Sequence, residues 1–195
     1  MNLNGPFRQA TRDDAAILSE LVNYAGEGLP EYLWGKMAGP DDDAWAIGRA
    51  RAARDEGSFS YRNAMLIESN VGDVAGALIG YAIDKKIEPI PDDIPKMFRP
   101  LQELENLAPG TWYVNVLAVR PQFRSEGYGT RLLKLADETG KMSGLKGMSV
   151  IVSDANVGAR TLYERCGYSY AAQRDMVKED WVNDGQAWVL LAKRF

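Results

Sequence analysis

Apolar side chains recur along the chain with two periods, and the alternation between them outlines the fold. Ile17, Leu18, Leu21 and Val22 follow helical spacing. They come after Thr11-Arg12-Asp13-Asp14, a capping-box pattern with Asp in the Glu position, and Gly26 or Gly28 ends the run. Residues 28–39, with Tyr32, Leu33 and Trp34, read as a loop or broken helix. Pro40 and Asp41-Asp42-Asp43 open a second helix to about Arg54, stopped by Gly57. Strand patterns fall at residues 7–10, 59–68 and 74–83, and Asn70 to Asp73 make the last two a hairpin. Residues 112–119 form a strand with a nearly continuous apolar end, followed by a helix carrying Leu132, Leu133, Leu135 and Ala136. Residues 148–152 read as a strand, 156–165 as a helix, and 168–172 and 187–192 as closing strands. Residues 84–110 differ, with five of the nine prolines and six acidic residues. They read as an excursion outside the core, with a short helix from Lys96 to Leu107. The order β-α-α-β-β-excursion-β-α-β-α-β-β predicts one α/β (α+β) domain over residues 1–195, with a mixed sheet and about four helices.

Composition narrows the chemistry. The 195 residues are 46% hydrophobic and 26% charged, ordinary for a globular protein with its own core. There is no histidine, which removes Ser-His and Cys-His nucleophiles and imidazole metal ligands. The single cysteine, Cys166, allows neither an internal disulfide nor a thiolate zinc cage, and no segment has Ca²⁺-loop spacing, so no metal is expected. Cys166 reads as a small buried residue rather than a nucleophile. A general base must therefore be Asp, Glu, Tyr, Lys, Cys or a water. No signal-peptide pattern opens the sequence, and the longest apolar run, residues 74–83, is ten residues with two glycines, too short to span a bilayer. A cytoplasmic protein without a membrane partner is the expectation.

The net charge of −4 argues against a nucleic-acid partner. The charge is uneven. Residues 111–165 hold 8 basic and 5 acidic side chains, a local +3 that leaves −7 on the rest. A basic stretch in an acidic chain suits an anionic ligand, and equally suits an ordinary solvated surface. Within it lies Arg124-Ser125-Glu126-Gly127-Tyr128-Gly129-Thr130, between a strand and a helix. Backbone N–H groups at a helix start, with glycines allowing close approach, make an anion cradle, and Arg124 adds a charged fork. The segment is neither a Walker A loop nor a full dinucleotide fingerprint, whose third glycine position is Leu132.

The run from Leu117 to Gly129 resembles the acetyl-CoA-binding segment of the GNAT superfamily of N-acetyltransferases, with Arg124, Gly127 and Gly129 at its three defined positions. About thirty residues on, Asn156-Val157-Gly158-Ala159-Arg160-Thr161-Leu162-Tyr163-Glu164-Arg165-Cys166-Gly167-Tyr168 is similar to the family's second signature. The resemblance covers residues 111–172. It implies a mostly antiparallel sheet splayed at the CoA-binding strand. Acetyl-CoA would lie with its arm on the backbone of Leu117, Ala118 and Val119 and its pyrophosphate on residues 125–130. Asn156 would contact the CoA arm or cap its helix. Tyr163 would return a proton to the leaving thiolate or serve as a core tyrosine.

The implied reaction is direct attack of an amine on the thioester. A primary amine is mostly protonated at neutral pH, so a base is needed. The strand 111–116 carries no carboxylate. Tyr113 and Asn115 share one face of it and could align an acceptor or a water. Glu103 and Glu105 are the nearest acids, candidates for the base or members of a solvated helix face. Tyr32 and Trp34 could flank an acceptor or cap the core, and residues 84–110 could form a lid over the acceptor site. The partner is then an amine-bearing small molecule or peptide, and a homodimer is compatible. A non-catalytic acyl-CoA sensor on the same fold is the alternative, and an acyltransferase for longer acyl groups or hydroxyl acceptors is another.

Overall fold

The computed structural model describes residues 5–87 and 89–195. In hydrogen-bonding order its seven strands run β1-β2-β3-β4-β5-β7-β6. They are β1 (Phe7–Gln9), β2 (Ala64–Glu68), β3 (Val74–Ala82), β4 (Trp112–Val119), β5 (Gly147–Ser153), β6 (Ser169–Asp175) and β7 (Ala187–Arg194). Six α-helices accompany them: α1 (Ala15–Ala25), α2 (Leu29–Met37), α3 (Ala44–Ala52), α4 (Arg99–Glu105), α5 (Tyr128–Met142) and α6 (Val157–Arg165). This is the expected mixed α/β architecture, mostly antiparallel, and the pair β4 and β5 is parallel. None of the described helices is long and apolar enough to cross a membrane.

Two compact units make up the chain. The first comprises residues 1–80 and 116–132. Leu18, Leu21 and Val22 of α1, Trp34 of α2, Leu66 and Ile79 of the β2–β3 hairpin, and Val116 and Ala118 of β4 form one core cluster. The opening turn is held as its sequence predicts. The Thr11 N–H donates to Asp14 Oδ2 at 2.7 Å, and Arg8 donates to both Asp14 oxygens at 2.8 Å. The hairpin closes at Gly72, whose φ of +88° suits glycine. Three details differ from the sequence reading. Residues 29–37 are a helix, because Gly28 (φ +84°) turns the chain and Pro30 sits in the first turn, where its missing N–H costs nothing. Counting α2 and the short α4, the described helices number six rather than about four. Residues 61–63 are a 3₁₀ turn instead of strand, because the Ser60 hydroxyl accepts from the Arg62 N–H at 3.2 Å.

The second unit comprises residues 81–115 and 133–195. β5 pairs along its whole length with β7, and β7 with β6, whose register shifts between Tyr170 and Ala172. β4 meets β5 at Trp112↔Met148, Tyr113↔Ser149 and Val114↔Val150, and the register covers only those three pairs. Lys193 ties β7 to α5 and α6. Its ammonium donates to Asp137 at 2.6 Å and to the Cys166 carbonyl at 3.0 Å, and it lies 4.6 Å from the Tyr168 ring centroid. The excursion is not outside the core. Leu104 of α4 is fully buried and Met97 nearly so, and α4 packs on β5, β6 and β7. Burial of these two apolar side chains, one in the turn before α4 and one on it, ties the proline-rich segment to the core.

Glycine matters sterically at β3. A Cβ on Gly76 would lie 2.5 Å from the Ala118 carbonyl oxygen, a backbone atom that cannot swing aside. On α2, Gly35 faces open space. Gly76→Ala should therefore destabilise the fold by about 1–3 kcal/mol. Gly35→Ala should stabilise it by about 0.5–1 kcal/mol. Urea unfolding of both variants checks this, and equal effects would refute the close approach at Gly76.

Candidate functional site

The first unit carries the anion cradle. After β4 the chain makes a 3₁₀ turn at Pro121–Phe123 and enters α5, whose first i to i−4 bond runs from Arg131 N–H to the Gly127 carbonyl. The N–H groups of Gly127, Tyr128, Gly129 and Thr130 thus precede any intrahelical acceptor. Ser125 has φ +65° and Gly127 φ +85°. Left-handed residues next to right-handed ones are the backbone pattern of anion-binding nests. A serine at positive φ is uncommon and is held there by the turn on one side and the helix on the other. A Cβ on Gly127 would meet nothing within 4 Å, so its requirement is conformational. Residues 124–127 are exposed, and Tyr128 is buried. Tyr128 anchors the loop through Phe123, 6.0 Å away edge-on, and Arg131, 5.5 Å from its ring. Arg124 folds back, its Nε donating to the Val119 carbonyl at 3.2 Å and its guanidinium 5.9 Å from the Tyr24 ring.

The second unit carries the titratable cluster. Tyr81 and Tyr113 have ring centroids 5.4 Å apart, and the Tyr81 hydroxyl donates to Glu105 Oε2 at 3.3 Å. Burial raises the Glu105 carboxyl above its ordinary range, and the Tyr81 hydrogen bond only partly opposes this. Burial also raises the phenols of Tyr81, Tyr113 and Tyr163, so all three stay protonated at neutral pH. Negative charge on Glu105, Tyr81 or Tyr163 would push Tyr113 further up, which places the four in one electrostatic neighbourhood. Glu103 differs from Glu105, because its carboxylate accepts from Arg174 Nε at 2.8 Å. Among the described residues no group of three or more Cys, Asp or Glu could hold a metal ion.

The residues singled out from sequence fall into three groups. Arg124, Ser125, Glu126, Gly127, Tyr128, Gly129 and Thr130 come together as the loop and first turn of α5, reached from Leu117, Ala118 and Val119 at the end of β4. Asn156 caps α6, its Oδ1 accepting from the Ala159 N–H at 3.1 Å, and Tyr163 is buried on the same helix. Tyr113 is buried beside Tyr81, and Asn115 is exposed. Of the two readings of Tyr32 and Trp34, the core one describes Trp34. Both lie on α2, where residues two apart do not share a face. Trp34 is 3% exposed, its ring against Gly48, where a Cβ would approach to 2.6 Å, and 5.6 Å from Trp45. It is a core residue. Tyr32 packs instead under Lys36, whose ammonium is 4.8 Å from its ring. Sequence reasoning missed Tyr81, which lies on the hairpin far from either motif. It also missed the positive φ of Ser125, a residue type that rarely adopts it.

The sequence profile of the acetyltransferase (GNAT) family matches residues 29–168. No curated protein matches the chain. Among solved structures, a crystal structure of an acetyltransferase is similar at 20% identity and TM-score 0.65, covering 97% of this chain and 99% of its own. An N-acetyltransferase from Staphylococcus aureus Mu50 is similar at 20% identity and TM-score 0.63, covering 97% and 100%. A GNAT family acetyltransferase from Elizabethkingia anophelis with acetyl-CoA bound is similar at 18% identity and TM-score 0.50, covering 68% and 75%.

Glu105 makes the site measurable by stability. Because its folded pKa is raised, the proton is held more tightly in the folded chain than in the unfolded one. That stabilisation is complete below the unfolded carboxylate value and is lost as pH rises through the folded one. Glu105→Gln removes the cost of a buried anion. It should melt above the parent at about pH 8, with the gap closing toward about pH 4. A gap independent of pH would show that Glu105 does not titrate from a buried position.

Proposed function

The chain belongs to the GNAT family of acetyltransferases, and on that footing we propose that it moves the acetyl group of acetyl-CoA onto a primary amine by direct attack. The observation that carries the acetyl-CoA assignment is the left-handed backbone pattern at Ser125 and Gly127 ahead of α5. It suits the two phosphates of the pyrophosphate, with the positive helix end and Arg124 adding attraction. The backbone of Leu117 to Val119 would receive the arm, and an N–H near Leu117 would hold the oxyanion. Asn156, which caps α6 through its Oδ1, is the side chain that the family resemblance brings to the same ligand.

Glu105 is the base this reading favours. It is half-buried, raised by desolvation and hydrogen-bonded by Tyr81, whereas Glu103 is engaged by Arg174. A carboxylate raised toward neutrality is better matched to proton abstraction. It takes a proton from the acceptor amine as the N–C bond forms. The tetrahedral adduct then collapses, the C–S bond breaks, and Tyr163 gives its hydroxyl proton to the departing thiolate. Solvent restores the Tyr163 proton, and Glu105 releases its own. Burial keeps the Tyr163 phenol neutral, so its proton is in place when the thiolate departs. The acceptor is an amine on a small molecule or peptide.

Thermal denaturation with acetyl-CoA, CoA and ATP tests the cofactor. At 100 times Kd a ligand should raise Tm by about 5–10 °C. A saturable rise with both CoA species and none with ATP is expected, and no rise with CoA species would remove the basis of the proposal. Gly127→Ala should raise KM for acetyl-CoA about tenfold with kcat little changed, since alanine must be forced into a left-handed conformation. Tyr163→Phe should lower kcat about 100-fold with little change in KM. Undiminished turnover in Tyr163→Phe would assign the proton to another donor. Absence of turnover across an amine panel in CoA-binding protein would favour the sensor reading.

A further inference from the structure

The sheet of the second unit has a face that its helix covers only in part. Lys193 reaches Asp137 on α5, so alternation along β7 places Leu190, Ala192 and Arg194 on the opposite side. Helix α4 packs on β5, β6 and β7, but it has only seven residues, about 10 Å, against eight residues and about 27 Å for β7. Where the chain leaves α4, at Leu107 to Pro109, a cavity of about 390 Å³ remains against β7. That volume falls within the usual range for small-molecule sites.

The lining is chemically divided. Leu107, Pro109, Leu190 and Ala192 make apolar walls, and Lys146 and Arg194 supply charge. No carboxylate lines the cavity. Lys193 also lines it, but its ammonium is engaged by Asp137 and the Cys166 carbonyl. Among the described residues, neither Lys146 nor Arg194 forms an ion pair within the chain. The Lys146 stem is steadied beside Gly110, where a Cβ would lie 3.3 Å from its Cε. The register shift in β6 points the same way. Tyr170 pairs with Leu191 and Ala172 with Leu190, so Ala171 is the extra residue, and it too lines the cavity. Bulges of this kind re-aim side chains beside functional sites.

We propose that this cavity binds a small organic monocarboxylate, its apolar body against Leu107, Pro109 and Ala192 and its carboxylate between Arg194 and Lys146. A guanidinium fork matches a carboxylate in two parallel hydrogen bonds, and apolar walls take the rest of the ligand. The site uses none of the residues assigned to acetyl transfer.

Octanoate is a suitable probe, with octanol and octylamine as the uncharged and oppositely charged counterparts. The full chain is melted with each, in the presence of saturating acetyl-CoA, so that occupancy of the transfer site is constant. Octanoate should raise Tm saturably, by about 3–6 °C at ten times its Kd, and the other two should not. The rise should disappear in the surface double variant Lys146→Glu, Arg194→Glu. It should also disappear in Ala171→Trp, which fills the cavity from the exposed bulge. Both variants should keep the parent's acetyl-CoA shift. No octanoate shift, an equal octanol shift, or a shift that survives both variants would each overturn the proposal. Loss of the acetyl-CoA shift alone would bear on the transferase reading and leave this one standing.

Discussion

The parallel pairing of β4 with β5 is the constraint from which much of this architecture follows. Antiparallel neighbours can be joined by a few residues, as β2 and β3 are, but parallel neighbours need a crossover long enough to return the chain to the starting edge. Here residues 120–146 supply it, and α5 is its body. A crossover helix begins just beyond the carboxyl end of the first strand, where its unpaired N–H groups and positive dipole end collect. The anion cradle is therefore built where the topology already requires a helix start. The local sequence adds the left-handed turns at Ser125 and Gly127 and the anchoring of Tyr128.

A second constraint is the shortage of titratable chemistry. The chain has no histidine, and of the two acids near the end of α4 burial raises the Glu105 carboxyl above its ordinary range, whereas Glu103 is paired with Arg174. The two lie two residues apart near the end of α4, so the helix turns them to different sides. One meets Arg174 and becomes a structural pair. The other meets Tyr81, an uncharged donor, which stabilises it less than a cation would and leaves its affinity for a proton high. The phenols of Tyr81, Tyr113 and Tyr163, all raised by burial, belong to the same unit.

What the sequence revealed depended on whether the signal was local. The cradle was legible because it is contiguous, residues 124–130 between a strand and a helix, and its glycines mark backbone needs directly. Strand β4 was placed to the residue by its apolar run. Asn156 as a cap followed from residue type alone and is seen as a hydrogen bond. Glu105 was visible only as one of two acids, because its partner Tyr81 is 24 residues away and meets it through tertiary packing. For the same reason the sequence leaves Trp34 open between an acceptor wall and a core cap. The notch that buries it is Gly48, on another helix. The helix at 29–37 was obscured because a glycine at each flank and one inside looked like breakers, while only Gly28 acts as one.

The segment 84–110 shows how one short element can serve two ends. Its prolines limit α4 to seven residues, with Pro100 in the first turn and Pro109 soon after the last. A helix that short needs tertiary packing to exist at all. Leu104 provides that packing, and by burying itself it carries its neighbour Glu105 into a desolvated position beside Tyr81. The same shortness leaves a cavity beside β7, where Ala192 is half-buried and Leu107 of the following turn is exposed. A longer α4 would bury more apolar surface and close the cavity. Retaining the short helix leaves apolar area in contact with solvent at about 25 cal/mol per Å². That cost is offset wherever a ligand with an apolar body fills the space, and the cations at Lys146 and Arg194 define which charge such a ligand carries.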